Sequence, residues 1–582
     1  MPEVEAFHDR VREAVTSGMT PEALQARHAA IAEALEAEND CDPERLSVHL
    51  CAAGKTERAR RYVERAADRA TSTLAFARAV ALYRLAQELS GAEPAQPLRA
   101  KLADALANAG YGGEAGRAYL AAVPGAHPDQ VLDLRRRAAE QFLRSGYVDE
   151  ALPTVETVLA DVGLRIPATP TLSLASLLLQ RAKLKVRGLA FTERREVPLS
   201  DLRKIDVCWT LGNGMGGVDV IRGADFQARH LWLALRAGEP YRIARALAWE
   251  AVLSAIEGGP AGHMRAAAIS AQSMVLAKRI EHPHALAWAT AADAICRFCL
   301  ASWKGARTTG EESIALFREH CADIGWEVGS MEMWWWLPSM RWLGDYAPVI
   351  RRAASCAKEA AERGDLYTAT GVRTHVLPHV HLMDDRPDDA RDEGREAVLA
   401  FSKDRWLTQH WCNAVTQAHT ALYAMRLGEA LEGLERDSKR IARALQMRLQ
   451  TMRVQLLDVR TRVMVAAARE DATRRESLLA AVDRDAAILA KEDLAWARAL
   501  GTVAQAGAAS VRGDLDGART AYLRAARSFT ELDMEVHSLA TRARLAMIEG
   551  GDAGRAALTE HLGNVAKRHV KSPERFVQML VP

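Results

Sequence analysis

LADALANAGYGGEAGRAYLAAV, residues 102–123, and RAAEQFLRSGYVDEALPTVETVL, residues 137–159, align without a gap. Gly110 falls on Gly146, Ala115 on Ala151, Tyr119 on Val155 and Ala122 on Val158, a period of 36 residues. The same offsets recur elsewhere, with small or apolar residues at five, nine and twelve positions after a turn glycine. CAAGKTERARRYVERA supplies Gly54, Ala59, Val63 and Ala66, and VRGDLDGARTAYLRAA supplies Gly513, Ala518, Tyr522 and Ala525. The glycine suits a left-handed cap that ends one helix. The alanine lets the next helix approach closely, and the larger residue fills the gap between neighbours. A single helix pair cannot bury its apolar face, whereas stacked pairs can.

These residues resemble the tetratricopeptide repeat. Leu102, Ala103, Ala115, Tyr119 and Ala122 fall on its small and large consensus positions, with Pro124 and Pro128 near its terminating proline. The likeness is good over residues 98–162, fair over 42–90 and 500–530, and degenerate between. Three middle segments still place a turn before an amphipathic helix: LASWKGARTTGEESIALF, RWLGDYAPVIRRAASCAKEA and MDDRPDDARDEGREAVLA. The expected fold is all-α, a superhelical α-solenoid of roughly ten antiparallel helix pairs. An irregular helical bundle is the alternative for residues 205–480.

Composition agrees. The chain has 582 residues, 49% hydrophobic and 26% charged, which excludes a disordered chain and leaves ample apolar surface for a core. Alanine, leucine, arginine and glutamate dominate, all side chains that lose little rotamer freedom in a helix. Lys+Arg 77 against Asp+Glu 75 gives a net charge of +2, so no chain-wide cationic field draws nucleic acid. Eight scattered cysteines read as reduced thiols. The opening MPEVEAFHDR lacks the apolar run of a secretory signal. The longest apolar stretch, Leu172 to Leu179, is far below the ~20 residues that span a bilayer. A cytoplasmic protein without membrane or nucleic-acid partners is expected.

One break interrupts the pattern. After Pro167 and Pro170 a long helix, TLSLASLLLQRAKLKVRGL, leads into the charged loop FTERREVPLSDLRK, with helical periodicity resuming near Ile205. The sequence therefore divides into an N-terminal array over 41–166, a helix and linker over 167–204, and a degenerate C-terminal array over 205–582. Arg181, Lys183, Lys185, Arg187, Arg194 and Arg195 make the linker basic, which reads as a solvated helix face or an acidic-partner patch.

Several motifs imitate chemistry. Gly54, Lys55 and Thr56 copy the end of a phosphate-binding loop, but His49 stands where its first glycine belongs. Gly212, Gly214 and Gly217 satisfy G-x-G-x-x-G after IDVCW, yet no second strand follows, so a turn between helices is expected. Cys296 and Cys299 form one C-x-x-C without a second pair for zinc, and read as buried thiols. His375, His379 and His381 stand near Asp384 and Asp385, but Pro378 breaks the helical spacing a metal site needs, leaving a polar helix end. No catalytic constellation, cofactor site or metal site is expected.

Two surfaces are candidates for binding a partner. Placing Gly110 and Gly146 at the turns puts Asp104 and Asn108 on the groove side of one repeat, and Arg136, Glu140 and Arg144 on that of the next. Arg136, Glu140 and Arg144 fall four apart and share one helix face. They could grip an acidic peptide, or form an intrahelical ion-pair ladder. The second candidate is MEMWWWLPSMRWLGDY, with Trp334, Trp335, Trp336 and Trp342. Three adjacent indoles point in different directions about a helix, so at least one faces outward or into a groove; core packing is the competing reading.

The N-terminus carries a further resemblance. FHDRVREAV, Phe7 to Val15, followed by MTPEALQARHAAIAEALEAE, is similar to the last part of the winged-helix region in bacterial signalling ATPases. There it links an AAA/STAND-type domain to tetratricopeptide repeats, so residues 1–40 are expected to be a remnant of that linker. IRGADFQARHLWLALRAGEPYRIARALAWEA, ERGDLYTATGVRT and the closing SPERFVQMLVP resemble the C-terminal region of large bacterial serine/threonine protein kinases that carry an ATPase and repeats. The glycine-rich loop, H-R-D and D-F-G of that family's kinase are missing, as is a complete phosphate-binding loop. The resemblance thus implies a non-catalytic regulatory or sensing module, working with a kinase–ATPase in cis or in trans. The alternatives are a stand-alone scaffold and the regulatory arm of a transcriptional regulator.

Overall fold

A computed structural model describes residues 13–14, 16–38, 41–91, 95–216, 219–402 and 405–582. The protein is all-α: helices joined by short turns, with no β-strand among the described residues. The resemblance at Phe7–Val15 falls largely outside them. Two compact units divide the chain, Met1–Gln141 and Phe142–Pro582. The division falls within the helix Pro128–Arg144, so the helix Pro170–Arg187 belongs to the second unit.

The turn glycines do what the offsets require. Gly54, Gly110, Gly146 and Gly513 have φ between +68° and +89°. In each case the following N–H donates to the carbonyl five residues back: Lys55 to Leu50, Tyr111 to Leu106, Tyr147 to Phe142 and Asp514 to Ala509, all at 2.9–3.0 Å. This is the Schellman cap, which satisfies the orphan carbonyls at a helix end. All twelve residues at the +5, +9 and +12 offsets are buried, with Ala59, Ala115, Ala151 and Ala518 at 0% exposure.

The same cap recurs without glycine. Leu74, Ala301, Asp385 and Met425 take the left-handed conformation, with φ of 56–61°. The bonds from Ala75 to Ala70, Ser302 to Arg297, Arg386 to His381 and Arg426 to Ala421 repeat the pattern. Five positions on stand Ala79, Ala306, Ala390 and Ala430, each buried. A side chain in this conformation costs about 1–2 kcal/mol, so burial of the following helix must hold it there.

The first unit repeats its polar contacts as well. Tyr83 donates its hydroxyl to Asp68 at 2.7 Å, and Lys101 donates to the same carboxylate at 3.0 Å. Tyr119 donates to Asp104 at 2.6 Å, and Arg137 to Asp104 at 2.8 Å. Each member of the first set stands 36 residues before its counterpart in the second. Burial of the ring pushes the Tyr83 hydroxyl up to about 12, and Asp68 acts in the same direction.

The second unit is more closed than a stack in which each pair touches only its neighbours. Tyr147 donates its hydroxyl to the Gly364 carbonyl at 3.1 Å, Gly259 N–H donates to Gln450 at 3.2 Å, and Lys304 donates to Asp533 at 2.6 Å. His263 lies 3.0 Å from Asp493, and Arg568 donates to the Gly344 carbonyl at 2.9 Å. These partners are 191–230 residues apart, whereas a one-dimensional array has contacts between adjacent repeats alone.

Two expectations need correction. Gly212 and Gly214 lie inside the helix Leu199–Gly214, not in a turn, and Gly217 lies outside the described residues. The reason is close packing: a Cβ on Gly212 would sit 3.0 Å from the Gln227 backbone nitrogen, and one on Gly214 2.8 Å from Leu143 Cβ. In the linker, Arg181 pairs with Glu250, and Arg187 donates to the carbonyls of Ala190 and Leu235 at 2.9 Å, while Lys183 and Lys185 are exposed. Part of this basic segment therefore works inside the unit. No described helix is long and apolar enough to cross a membrane.

Candidate functional site

Closure of the second unit encloses a cavity of about 320 Å³. Its walls are Leu174, Leu177 and Leu178 of the helix Pro170–Arg187, Trp249 and Leu253 of Pro240–Glu257, and Trp288 and Phe298 of Pro283–Cys299. Trp326, Trp334, Trp335, Arg341 and Trp342 come from the stretch 326–342, and Thr451, Met452 and Gln455 from the helix Gln450–Glu470. Exposed Leu178 and Arg448 also belong to the lining, so the cavity reaches the surface beside them.

An aromatic lattice joins the walls. Trp288 meets Trp249 edge-on at 5.5 Å and Phe317 edge-on at 5.8 Å. Phe298 meets Trp335 at 5.3 Å, Trp326 stacks near Tyr367 at 6.1 Å, and Trp342 packs on Trp496 at 5.2 Å. Aromatic pairs in such offset and edge-to-face arrangements stabilise beyond the area they bury, by about 0.5–1.5 kcal/mol each.

The adjacent tryptophans sit in a π-helical turn, Glu332–Trp336, between the α-helices Gly325–Met331 and Leu337–Leu343. Leu337 N–H donates to the Glu332 carbonyl five residues back. Pro338 supplies the cause, because it has no N–H and its ring crowds the carbonyl of Trp334. π turns of this kind cluster at functional sites. Glu332 anchors the turn: its buried carboxylate accepts from Arg318 and Arg352, each at 2.8 Å. The wider turn rotates less per residue, so Trp334 and Trp335 both reach the cavity. Trp334 also donates to the Tyr367 hydroxyl at 2.8 Å. Trp336 turns the other way and donates to Glu311 at 3.2 Å.

Behind the aromatic wall lies a small polar chamber of about 30 Å³, and Arg341, Trp342 and Gln455 line both spaces. Arg341 Nη1 lies 2.7 Å from His379 Nε2. An arginine only donates, so His379 Nε2 accepts and its Nδ1 carries the proton, given to the His375 carbonyl at 3.2 Å. His379 is therefore neutral, and burial holds its pKa well below the ordinary value. Arg462 likewise meets His419 Nε2 at 2.7 Å and pairs with Asp458. Burial also drives His375 and His537 down to about 3 and His419 well below 6.5. The small chamber is thus lined by two guanidiniums and one carboxylate, and the carboxylate pairs with Arg462. Burial, together with the charge of Arg462, pushes Arg341 down to about 10.

The residues singled out in the sequence separate here. Asp104 is engaged by Tyr119 and Arg137, and Asn108 donates to the Asp104 carbonyl at 2.8 Å. Arg136 is held by Glu140 at 2.7 Å and Asp133 at 2.9 Å, the ion-pair ladder that competed with a peptide grip. Arg144 corrects the expectation of an open groove residue. It is 8% exposed, pairs with buried Glu327 at 3.0 Å and lies 5.6 Å from the Trp326 ring. Trp342 is buried, and Trp334 and Trp335 join the cavity.

His375, His379 and His381 are buried rather than a polar helix end, because the helix Leu366–His375 and its continuation Leu377–Met383 turn them inward. Asp384 pairs with Lys571, and Asp385 with Tyr423 and Arg575, away from the imidazoles. Among the described residues no group of three histidine, cysteine or carboxylate side chains could hold a metal ion. Cys296 and Cys299 are buried in one helix, where loss of solvent pushes Cys296 up to about 12 and Cys299 well above its ordinary value. Gly54 and exposed Lys55 form the turn before the helix Thr56–Ser72.

Sequence reasoning missed Arg341 and the tryptophans at 249, 288 and 326. Nothing local marks them, because they meet through the tertiary closure. No protein-family model matches the chain, and no curated protein does.

Proposed function

We propose that this protein is a non-catalytic, ligand-sensing helical-repeat module of bacterial signal transduction. In this reading it acts in the cytoplasm, takes a small apolar ligand, and passes the bound state to a protein partner. The observation that supports it is the cavity: about 320 Å³ enclosed by indole and aliphatic side chains with few polar groups, the usual character of a small-molecule site. The tetratricopeptide likeness and the kinase–ATPase resemblance suggest the partner, in cis or in trans. The reading needs no cofactor, membrane or nucleic acid. A stand-alone scaffold is the alternative, and it assigns the cavity no occupant.

A neutral, environment-sensitive dye such as phenylnaphthylamine tests the reading. Saturable binding with quenching of tryptophan emission is expected. Ala224 lines the cavity, so Ala224→Phe should abolish binding at an unchanged melting temperature. Absence of dye binding, or binding that ignores Ala224→Phe, would overturn the reading in favour of the scaffold.

A further inference from the structure

Arg341 stands in the wall of a mostly apolar cavity and forms no ion pair with a carboxylate of the described residues. Its Nη1 is taken by His379, a neutral acceptor. The other edge of the guanidinium, Nε and Nη2, has no protein partner and is not sealed from open space. The carboxylates that line the two spaces are engaged elsewhere: Asp458 with Arg462, Glu327 with Arg144 at 3.0 Å and Glu257 with Arg265 at 3.0 Å. The imidazoles of His375 and His379 add no negative charge. The chamber therefore keeps one positive charge in excess, on a side chain whose free edge has the geometry that binds a carboxylate through two parallel hydrogen bonds.

We infer that the ligand is an aromatic or alicyclic carboxylic acid, bound as its anion. Its ring system lies among Trp288, Trp334 and Trp335, and its carboxylate docks on the Nε–Nη2 edge of Arg341. This rests on the reading of the cavity as a ligand site. Apolar burial alone would supply affinity without orientation. A half-buried guanidinium with no ion-pair partner adds both a direction and a preference for anions, because desolvating it without a counter-charge is costly. His379 restrains the guanidinium by holding Nη1, and the ring of Trp342 lies 4.9 Å from its carbon.

Naphthoate and naphthamide share one ring system and differ in charge, so they separate the two claims. Both should displace bound phenylnaphthylamine, naphthoate about tenfold more tightly or better. Arg341→Met should remove that preference while leaving naphthamide affinity within about twofold, and Arg341→Lys should retain part of it. Equal affinities of the two competitors for the wild-type protein would overturn the inference and leave the cavity reading standing. This comparison does not depend on either variant folding. Displacement by neither compound would overturn both. A naphthoate preference that survives in Arg341→Met would place the carboxylate on another cation and overturn the assignment to Arg341.

Discussion

Tyr119 donates its hydroxyl to Asp104, and 36 residues earlier Tyr83 makes the same bond to Asp68. The repeat is thus written in polar contacts as well as in apolar spacing. Removing one partner leaves a buried hydroxyl unsatisfied. Asp104→Ala should therefore destabilise the first unit by about 1–3 kcal/mol, measured by denaturant unfolding. A variant as stable as wild type would show that the bond has no structural role.

The alanines at the fifth position report the packing register. Ala115 and Ala151 are both at 0% exposure, so Ala115→Leu and Ala151→Leu should each cost about 1–3 kcal/mol by overpacking. Ala115 belongs to the first unit and Ala151 to the second. If both variants melt like wild type, the assigned register is wrong.

Two turn glycines separate backbone strain from crowding. Gly146 and Gly513 are both left-handed, with φ of +83° and +89°. A Cβ on Gly513 meets open space, whereas one on Gly146 would lie 2.9 Å from the Tyr367 backbone nitrogen. Gly513→Ala should cost only the conformational penalty, about 1–2 kcal/mol. Gly146→Ala should cost clearly more, and equal melting temperatures would contradict the close approach.

The buried histidines set the response to acid. Their folded pKa values lie below the ordinary value of 6.5, so the unfolded chain binds protons that the folded chain refuses. Stability is complete above pH ~6.5 and is lost as pH falls toward 3, the folded value of His375 and His537. Each of the four contributes a loss of up to about 1.4 kcal/mol per pH unit in that window. Thermal melts at pH 7.5 and about 5.5 should differ by several degrees; coincident melts would mean the imidazoles are not held neutral.

The three adjacent tryptophans should behave unequally. Trp335→Ala removes a cavity wall and should weaken dye binding about tenfold, whereas Trp336→Ala, whose indole meets Glu311, should leave it within about twofold. Equal losses would contradict the orientation set by the π turn.

Much of the fold was legible because helix caps are local. Gly54, Gly110, Gly146 and Gly513 announce the left-handed turn, and the buried positions follow by counting. Where Ala301, Asp385 and Met425 take that conformation, no residue type signals it, which is why the middle reads as degenerate. The site was legible in one part only. The tryptophans at 334–336 stood out by composition, but their joint access to a cavity depends on a π turn that helical periodicity does not encode. Arg144 misled for a related reason: on its own helix it continues a charged stripe, and only the arrival of Glu327 makes it buried. Arg341 gave no signal, since an arginine on a helix is ordinary until the carboxylates around it are counted.

Closure of the second unit also bears on when the site can form during synthesis. Arg341 sits in a chamber whose far wall includes Phe576, Met579 and Leu580, and Arg462 donates to the Met579 carbonyl at 3.0 Å. An open array can fold repeat by repeat as it leaves the ribosome. Here about 240 residues of translation separate Arg341 from that wall, roughly ten to fifty seconds at ~5–20 residues per second. For that interval the chamber beside Arg341 stands open on that side, although every residue that lines the larger cavity, up to Gln455, has already been made.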